Sequence, residues 1–273
     1  MNEDLLADAF AQLLRSHCTA QTVRAIEAGD RDKADRLWQE IVAAGYPDAL
    51  LPEAQGGAGL GLRDVFALLL QCGAHALPLP LGETMVARAM LARAGARLPP
   101  GPLALASLRT PAETEGIAAV LLAAQMAGAM QRVLEMTLTY ANERSQFGKP
   151  IGKFQAIQQQ LAVMAEQVFA ARMAAQMACA TSAALPQPLL AALAKARASE
   201  AVPTVTAIAH AVHGAIGITA EYDLQLYTRR LHAWRLALGS ELYWQRQIGV
   251  ALLAGDDDFL PFIRAHLFAK ETV

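Results

Sequence analysis

A short polar turn, Arg144-Ser-Gln-Phe-Gly148, interrupts a long helical pattern and carries groups that could hold a phosphate-bearing ligand. Arg144 and Gln146 offer hydrogen-bond donors just past a predicted helix end, and Phe147 offers a planar face. Gly148 lets the backbone approach a ligand closely. An arginine forked onto a diphosphate would contribute about 1.5–3 kcal/mol. The alternative is that Arg144 caps helix carbonyls and Phe147 is a packing anchor.

The segments that must position this turn are helical. Apolar residues recur at helix-face spacing near the N-terminus and again along most of the second half, where alanine is abundant. No strand-length alternation competes with this pattern outside one short segment. The sequence predicts helices over residues 64–72, about 82–94, 117–143, 154–182, 188–211 and beyond 238.

Residues 95–116 are the natural boundary between two helical regions. Prolines and glycines at 95, 99–102 and 111 break any helix there, and only Leu103–Leu108 is available as a short strand. The sequence therefore predicts an all-α protein with an N-terminal helical domain, 1–94, a short linker, 95–116, and a C-terminal helical bundle, 117–273. At most a small hairpin is expected between Leu103 and Thr110.

The stretch from Tyr140 to Gln160 resembles the acyl-CoA dehydrogenase family, whose members carry a similar Arg-Ser-Gln-Phe-Gly turn followed by Phe-Gln and a helix. Residues 37–94 resemble the end of that family's N-terminal helical domain, and 117–252 resemble its C-terminal four-helix bundle. The family's central β-barrel, which houses the flavin ring and part of the acyl-CoA pocket, is missing or vestigial. Residues 95–116 stand in its place.

In this family the turn contacts the adenine-side half of an FAD whose ring sits in a neighbouring subunit. The resemblance therefore makes Arg144, Gln146, Phe147, Gly148 and Phe154 cofactor-binding candidates. It implies that the cofactor is FAD and that the FAD is shared with a partner subunit. The isolated chain could lack it.

A second turn, within residues 211–222, is similar to the family's Gln-x-x-Gly-Gly-x-Gly loop, which presents backbone donors to the FAD diphosphate. Gly214 and Gly217 match, whereas Ala211 replaces the glutamine and Ala215 replaces the second glycine. His213 could contact phosphate, but a helix-end histidine satisfied by the backbone is an equal alternative. The resemblance thus adds His213, Gly214, Ala215 and Gly217 to the cofactor-binding candidates.

The family's catalytic base is a glutamate that removes the proton α to the thioester, and its position in this chain is Leu238. Leucine cannot accept a proton. Some relatives carry the base on an earlier helix, but the aligned residues 116–119 are equally inert. Glu115 and Glu241 remain as weak candidates, each weighed against an ordinary solvated carboxylate. We therefore expect no catalytic residue in this chain.

These expectations define a function by resemblance. The chain is predicted to be a subunit of a heteromeric acyl-CoA dehydrogenase that contributes half of an FAD site to a full-length partner. The partner would carry out α,β-dehydrogenation of an acyl-CoA such as a steroid side chain or another bulky thioester. One alternative is a self-sufficient flavin enzyme with a relocated base, Glu241 or Glu115. The other is a flavin-free structural interaction bundle.

Composition bears on the partners. Hydrophobic residues make up 54% and charged residues 18% of the chain, which is more apolar than usual and favours a subunit interface. We expect a homodimer in isolation and a mixed tetramer with the partner.

A net charge of -2 supplies no positive field for nucleic acid. The apolar run 117–130 is too short to span a bilayer, and Arg229-Arg230 suggests an altered partner surface.

The three cysteines, Cys18, Cys72 and Cys179, have no metal-binding spacing and cannot all pair with one another. Free, buried thiols are therefore expected, with no metal site. Together with an N-terminus that lacks the pattern of a signal peptide, this predicts a cytoplasmic protein.

Overall fold

The computed structural model describes residues 3–108, 111–181, 185–254 and 259–267, and within them the chain is almost entirely helical. The only strands in these ranges form one two-residue hairpin. The predicted all-α fold without a barrel is therefore confirmed. The helices are α1 (Glu3–His17), α2 (Ala20–Glu27), α3 (Arg31–Ala43), α4 (Leu62–Ala74), α5 (Leu81–Arg93), α6 (Pro111–Glu143), α7 (Gln155–Cys179), α8 (Pro188–His213), α9 (Leu224–Leu236), α10 (Glu241–Leu253) and α11 (Phe259–Leu267).

Local sequence sets the ends of the N-terminal helices. The Thr19 hydroxyl accepts a hydrogen bond from the backbone N–H of Thr22 at the start of α2, and the Asp30 carboxylate does the same for Lys33 at the start of α3. Each satisfies a donor that the first helical turn leaves unpaired. Past the end of α3, Gly45 has a φ of 79°, which a residue with a side chain rarely adopts.

The centre of the bundle is α6, which has 33 residues and packs against α4, α7, α8 and α9. Small side chains occupy its closest contacts. Ala123 and Ala127 of α6 are fully buried, as are Ala194, Ala198 and Ala201 of α8. Since alanine brings helix axes close and favours the helix itself, the alanine-rich composition builds a tight bundle.

One backbone contact joins the N-terminal helices to this bundle. A Cβ atom added at Gly73 of α4 would lie 1.9 Å from the Gln125 carbonyl oxygen, and one added at Gly128 of α6 would lie 2.0 Å from the Leu70 carbonyl oxygen. The two glycines therefore let the backbones of α4 and α6 touch where the helices cross. The N-terminal region packs directly on the bundle, with no barrel between them.

The segment between α5 and α6 differs from its prediction. Residues 105–107 form a short 3-10 helix in place of the expected strand over Leu103–Leu108. The reason is that α5 supplies the hydrogen bonds that a partner strand would otherwise make. The Leu103 N–H donates to the Thr84 hydroxyl and the Leu105 N–H donates to the Glu83 carboxylate. Residues 109–110, the end of the expected hairpin, lie outside the described residues, and α6 begins at Pro111 rather than at residue 117.

The paired arginines of α9 bind within the chain. Arg229 and Arg230 both form ion pairs with Glu27 of α2, with N–O distances of 2.9 Å. The side chain of Arg230 is only 12% exposed, and it also donates to the Leu77 carbonyl. These ion pairs hold α9 against the N-terminal helices, and the expectation of an altered partner surface at Arg229-Arg230 stays a prediction.

Within the part of the chain that the structure describes, two helical segments, Thr114–Glu143 and Pro188–Ile218, are long and apolar enough to cross a membrane. The helix that contains the 117–130 run is therefore longer than the sequence pattern indicated. Of the most apolar window in each, 78% and 44% respectively is buried inside the protein. The core helix of a helical bundle passes the same test, so these segments are weak evidence for a membrane span.

Replacing Gly128 with alanine should test the α4–α6 contact. The added methyl group meets backbone atoms that cannot rotate away, and overpacking of this kind costs about 1–3 kcal/mol. We expect Gly128→Ala to lower the free energy of unfolding by that amount in a denaturant titration. Gly249→Ala in α10 is the matched control, since its Cβ would meet nothing within 4 Å. The control should be stabilised by about 0.5–1 kcal/mol, and equal behaviour of the two variants would contradict the role of the contact.

Candidate functional site

The polar turn after α6 is a tight hairpin. Ser145 pairs with Pro150 and Gln146 with Lys149, which leaves Phe147 and Gly148 as the two turn residues. Their φ angles are 51° and 78°, and a type I′ hairpin requires positive φ at both positions. Phenylalanine rarely adopts this conformation, and the Phe147 side chain is 91% exposed. A strained residue that presents an aromatic ring to solvent points to a contact outside the chain.

The hairpin is fixed at its base. The Ile151 N–H donates to the Arg144 carbonyl at 2.8 Å, which closes the loop directly past the end of α6. The Phe154 ring meets the Phe147 ring edge-on at 6.2 Å, and the Lys149 ammonium lies 4.4 Å from the centre of the Phe154 ring. Among the described residues no hydrogen bond or ion pair engages the exposed Arg144 guanidinium. The structure thus keeps Arg144 available rather than using it as a helix cap.

The second candidate turn lies at the same end of the bundle. Because α6 and α8 run in the same direction, the loops that follow them are neighbours, and the His213 ring at the end of α8 stacks on Tyr140 of α6 at 4.5 Å. Gly214 then reverses the chain with a φ of 64° and opens the 3-10 helix Gly214–Ile218. The two loops, 144–154 and 214–222, form what we term the hairpin end.

Not every candidate of the second turn faces outward. His213 is only 3% exposed, its Nδ1–H donates to the Ala209 carbonyl, and burial lowers its pKa. Gly217 is buried as well, and a Cβ there would lie 2.9 Å from the His213 Cβ. This placement favours packing roles for both. Gly214 and Ala215 are exposed and remain accessible to a ligand.

A cavity of about 860 Å³ opens at the other end of the bundle, which we term the cavity end. It lies between the 103–108 segment, the first turns of α6 and the loop after α9. Leu238, the position of the expected base, is on its wall. The lining residues are Glu83, Ala104, Leu105, Ala106, Leu108, Thr114, Glu115, Ala118, Leu121, Leu122, Gln125, Trp234, Ala237 and Leu238.

A buried lysine pins the loop that carries Leu238. Lys195 of α8 is fully buried, and its ammonium donates to the Ser199 hydroxyl and to the Arg235 and Gly239 carbonyls. The cation thereby caps the C-terminal end of α9, where the helix dipole favours positive charge. Burial lowers the pKa of Lys195 from 10.5 to about 8. Sequence patterns gave no sign of this residue, which lies on an otherwise apolar helix face.

The two carboxylates left as candidate bases have different surroundings. Glu241 forms a two-pronged ion pair with Arg235, whose hydrogen bond lowers the pKa of Glu241, and it is absent from the cavity wall. Glu115 lies on the cavity wall, within α6 rather than in a loop, and accepts a hydrogen bond from the Tyr243 hydroxyl at 2.7 Å. The structure therefore places Glu115, but not Glu241, on the cavity wall that Leu238 also lines.

The two ends are far apart. Thr114 lines the cavity and Tyr140 supports the hairpin end, and both are on α6. At about 1.5 Å per residue, the helix separates them by about 40 Å. Any extended ligand bound at one end of a chain cannot reach the other end of the same chain.

Sequence reasoning missed several residues that line the cavity. Trp234 and Glu83 come from two separate helices, and no local pattern links them. Gln125 did carry a signal, since it is a polar residue within the apolar run 117–130. A lone polar side chain on a core helix is a reason to look for a cavity.

Comparison with known proteins agrees with the geometry. Residues 113–253 match the family model described as acyl-CoA dehydrogenase, C-terminal domain. The chain is 32% identical to acyl-CoA dehydrogenase IpdE2 of Mycobacterium tuberculosis over 291 residues, covering 84% of this chain and 90% of that protein.

Solved structures share the whole fold. The ChsE4-ChsE5 complex of Mycobacterium tuberculosis contains a chain that matches with a TM-score of 0.79 at 20% identity, covering 93% of this chain and 98% of that one. The Tcur3481-Tcur3483 steroid ACAD variant gives the same TM-score and coverage at 24% identity. At these identities the likeness extends to the fold alone.

The pH dependence of stability should report on Lys195. Because its native pKa lies near 8 and its ordinary value is 10.5, the unfolded chain binds more protons between these values. The unfolding free energy of the wild type should therefore rise with pH in this window relative to Lys195→Met, by at most about 1.4 kcal/mol per pH unit. Lys153→Met removes an exposed lysine, and the pH dependence of its unfolding free energy should match that of the wild type. A flat Lys195→Met difference would contradict the lowered pKa.

Proposed function

The chain belongs to the acyl-CoA dehydrogenase family, and from that premise we propose that it is a subunit of a heteromeric acyl-CoA dehydrogenase. Its hairpin end binds the adenine and diphosphate half of an FAD whose ring is held by a full-length partner subunit. The partner carries out α,β-dehydrogenation of an acyl-CoA. The protein that results is a cytoplasmic complex in which each FAD is shared between two chains.

The observation that carries this proposal is the distance between the two ends. The hairpin end and the cavity end are about 40 Å apart along α6, which exceeds the length of an extended FAD. A diphosphate held at the hairpin end therefore cannot place its flavin over the cavity of the same chain. The hairpin end can form part of an FAD site only if another chain holds the flavin ring.

The residues at the hairpin end fit such a half-site. Arg144 supplies a fixed positive charge with a fork of donors suited to phosphate oxygens, and Phe147 supplies a face for an adenine ring. Gln146 adds a polar side chain, and the exposed backbone at Gly214 and Ala215 can approach the diphosphate. The bound FAD supplies hydride acceptance in the partner's site. This chain's own contribution is to bind and orient the dinucleotide.

The lack of a barrel and of the expected glutamate also supports the existence of a partner subunit. It has no barrel to house a flavin ring, and Leu238 occupies the base position. The similar ChsE4-ChsE5 structure is a complex of two proteins, and the other similar structure is described as a steroid ACAD. We extend both points to this chain, with a bulky, steroid-like acyl group as the substrate of the complex. In isolation, the exposed apolar residues of α10, Leu242, Val250 and Leu253, favour a homodimer.

A second candidate function is favoured by the position of Glu115. Glu115 lines the same cavity as Leu238, and its carboxylate accepts a hydrogen bond from the Tyr243 hydroxyl. If the partner's barrel covered this cavity, Glu115 would be the group placed to accept an α-proton. The chain would then share catalysis as well as cofactor binding.

Arg144→Ala should weaken FAD retention in the complex purified with its partner. The diphosphate loses its charged donors while the partner's ring contacts persist, and a charged hydrogen bond of about 1.5–3 kcal/mol corresponds to a roughly 10- to 100-fold rise in the FAD dissociation constant. Flavin fluorescence during dialysis of the complex measures the loss. Arg36→Ala, an exposed arginine on α3, is the control and should retain FAD fully. Retention in the Arg144→Ala complex that matched the control would refute the half-site.

The location of the base can be tested by single substitutions made in this chain or in the partner, one at a time. Glu241→Gln should leave turnover nearly unchanged, because Glu241 is bound to Arg235 and lies off the cavity. Leu238→Glu should create no new activity, because no ring is positioned over that loop. Removing the partner's glutamate should cost orders of magnitude.

Glu115→Gln distinguishes the two candidate functions in the same assay. Turnover that stays within a few-fold of wild type assigns the base to the partner. A collapse of kcat at unchanged FAD content assigns proton removal to Glu115 of this chain. A collapse for Glu241→Gln instead would show that both assignments are wrong.

A further inference from the structure

We infer that the chain binds a small phosphate monoester in a second cavity, which opens where α1, α2, α4, α6 and α9 meet. This side cavity has a volume of about 420 Å³ and shares no lining residue with the cavity at the cavity end. Gln131 on its wall lies about 25 Å from Thr114 and about 20 Å from Arg144, measured along α6. The inference does not depend on the proposed function.

Three side chains that can donate hydrogen bonds to an anion converge on the side cavity. Arg15 comes from the end of α1, His75 from the end of α4 and Arg132 from the second half of α6. Burial lowers the pKa of His75, and the charges of Arg15 and Arg132 lower it further, whereas Glu135 acts in the opposite direction. Both guanidinium groups therefore lie close enough to act on one imidazole ring, and a bound anion would relieve the repulsion among them.

Several polar groups on this wall are unused within the protein. In the part of the chain that the structure describes, no hydrogen bond or ion pair engages the side chains of Arg15, His75 and Gln71. Arg15 is exposed, while His75 and Gln71 are half-buried. Polar groups that are partly withdrawn from water are costly unless they have partners. A ligand that accepts hydrogen bonds would supply partners to all three.

The carboxylates on the wall are already engaged. Glu135 accepts a hydrogen bond from the Arg132 guanidinium at 3.4 Å, and Asp223 forms an ion pair with Arg24 of α2 at 2.7 Å. Arg15 is the charged group of the wall that no described residue neutralises. The spare charge of the side cavity is therefore positive. A cationic ligand would have to displace an existing ion pair, whereas an anion would not.

The directions of the donors and the size of the side cavity favour a phosphate monoester. The oxygens of a phosphate accept hydrogen bonds from several directions at once, which matches donors that reach in from α1, α4 and α6, and a guanidinium fork suits two of them. A volume of about 420 Å³ lies at the lower end of small-molecule sites and leaves room for a sugar-sized group. Thr19 and Tyr227 add hydroxyl groups to the wall, where such a polar group would lie.

The test is isothermal titration calorimetry on the full chain at constant ionic strength, with ribose 5-phosphate, inorganic phosphate, ribose and choline as probes. We expect ribose 5-phosphate to bind at least about 10-fold more tightly than ribose or choline, because only the phosphate uses the charged donors. It should bind about 3-fold more tightly than inorganic phosphate, since its sugar makes further hydrogen bonds.

Arg15→Gln tests the site with little risk to the fold, because Arg15 is exposed. Loss of a charged hydrogen bond should weaken the binding of ribose 5-phosphate about 10-fold. The matched control is Arg246→Gln, which removes an exposed arginine of α10 that is not on this wall. The control should bind with the affinity of the wild type.

His75→Asn tests whether the imidazole contacts the ligand. A phosphate beside His75 should raise its pKa from the lowered value, so that the complex takes up a proton. As the pH falls from about 7.5 to about 5.5, the wild-type affinity should therefore rise relative to that of His75→Asn, by at most about 10-fold per pH unit. The ester itself gains a proton near pH 6 in both experiments, so the ratio of the two affinities isolates His75. A ratio that does not change with pH would contradict the contact.

Equal affinities of the wild type and Arg15→Gln for ribose 5-phosphate would overturn the inference, as would choline or inorganic phosphate binding as tightly as the ester. Loss of binding in Arg144→Ala, with Arg15→Gln unaffected, would also overturn it, because the phosphate would then lie at the hairpin end. The proposed function is tested separately by FAD retention in the co-purified complex. The two proposals can therefore fail independently.

Discussion

The contact on which the rest of the structure depends is the crossing of α4 and α6 at Gly73 and Gly128. Its backbones touch because neither residue has a side chain, and this closeness lets the N-terminal helices cover the bundle without an intervening barrel. The same crossing fixes Gln125 and lays α5 and the 103–108 segment over the first turns of α6. A cavity therefore remains between these segments and the loop after α9.

The length of α6 then separates the two sites. A single helix carries the cavity near its first turns and the hairpin beyond its last turn, so no ligand of ordinary length joins them within one chain. The proposed division of labour between subunits rests on this separation. The exposed Phe147, held in a conformation that phenylalanine rarely adopts, is the local feature that supports the proposed contact of the hairpin end with another molecule.

The sequence predicted those features of the fold that are determined by local sequence patterns. The helical class, the turn at 144–148 and the separate turn after α8 follow from periodicity, glycine and proline. The 103–108 segment, which the sequence left available as a short strand, contains a 3-10 helix instead, because side chains of α5, distant in sequence, satisfy its backbone donors. The burial of His213 and the placement of Glu115 on the cavity wall that Leu238 also lines depend on which helices pack together. Long-range contacts decide such features, and no pattern within a single segment reveals them.

The loop at Leu238 has a strained conformation although it lacks the expected glutamate. Leu238 has a φ of 57°, an unfavourable value for leucine, and its carbonyl accepts a hydrogen bond from the Trp244 indole. Lys195 holds the same loop at the carbonyls of Arg235 and Gly239. Strain persists only where the surroundings over-determine it. Since leucine cannot take part in proton transfer, the strained loop is better explained by the shape that it gives to the cavity wall.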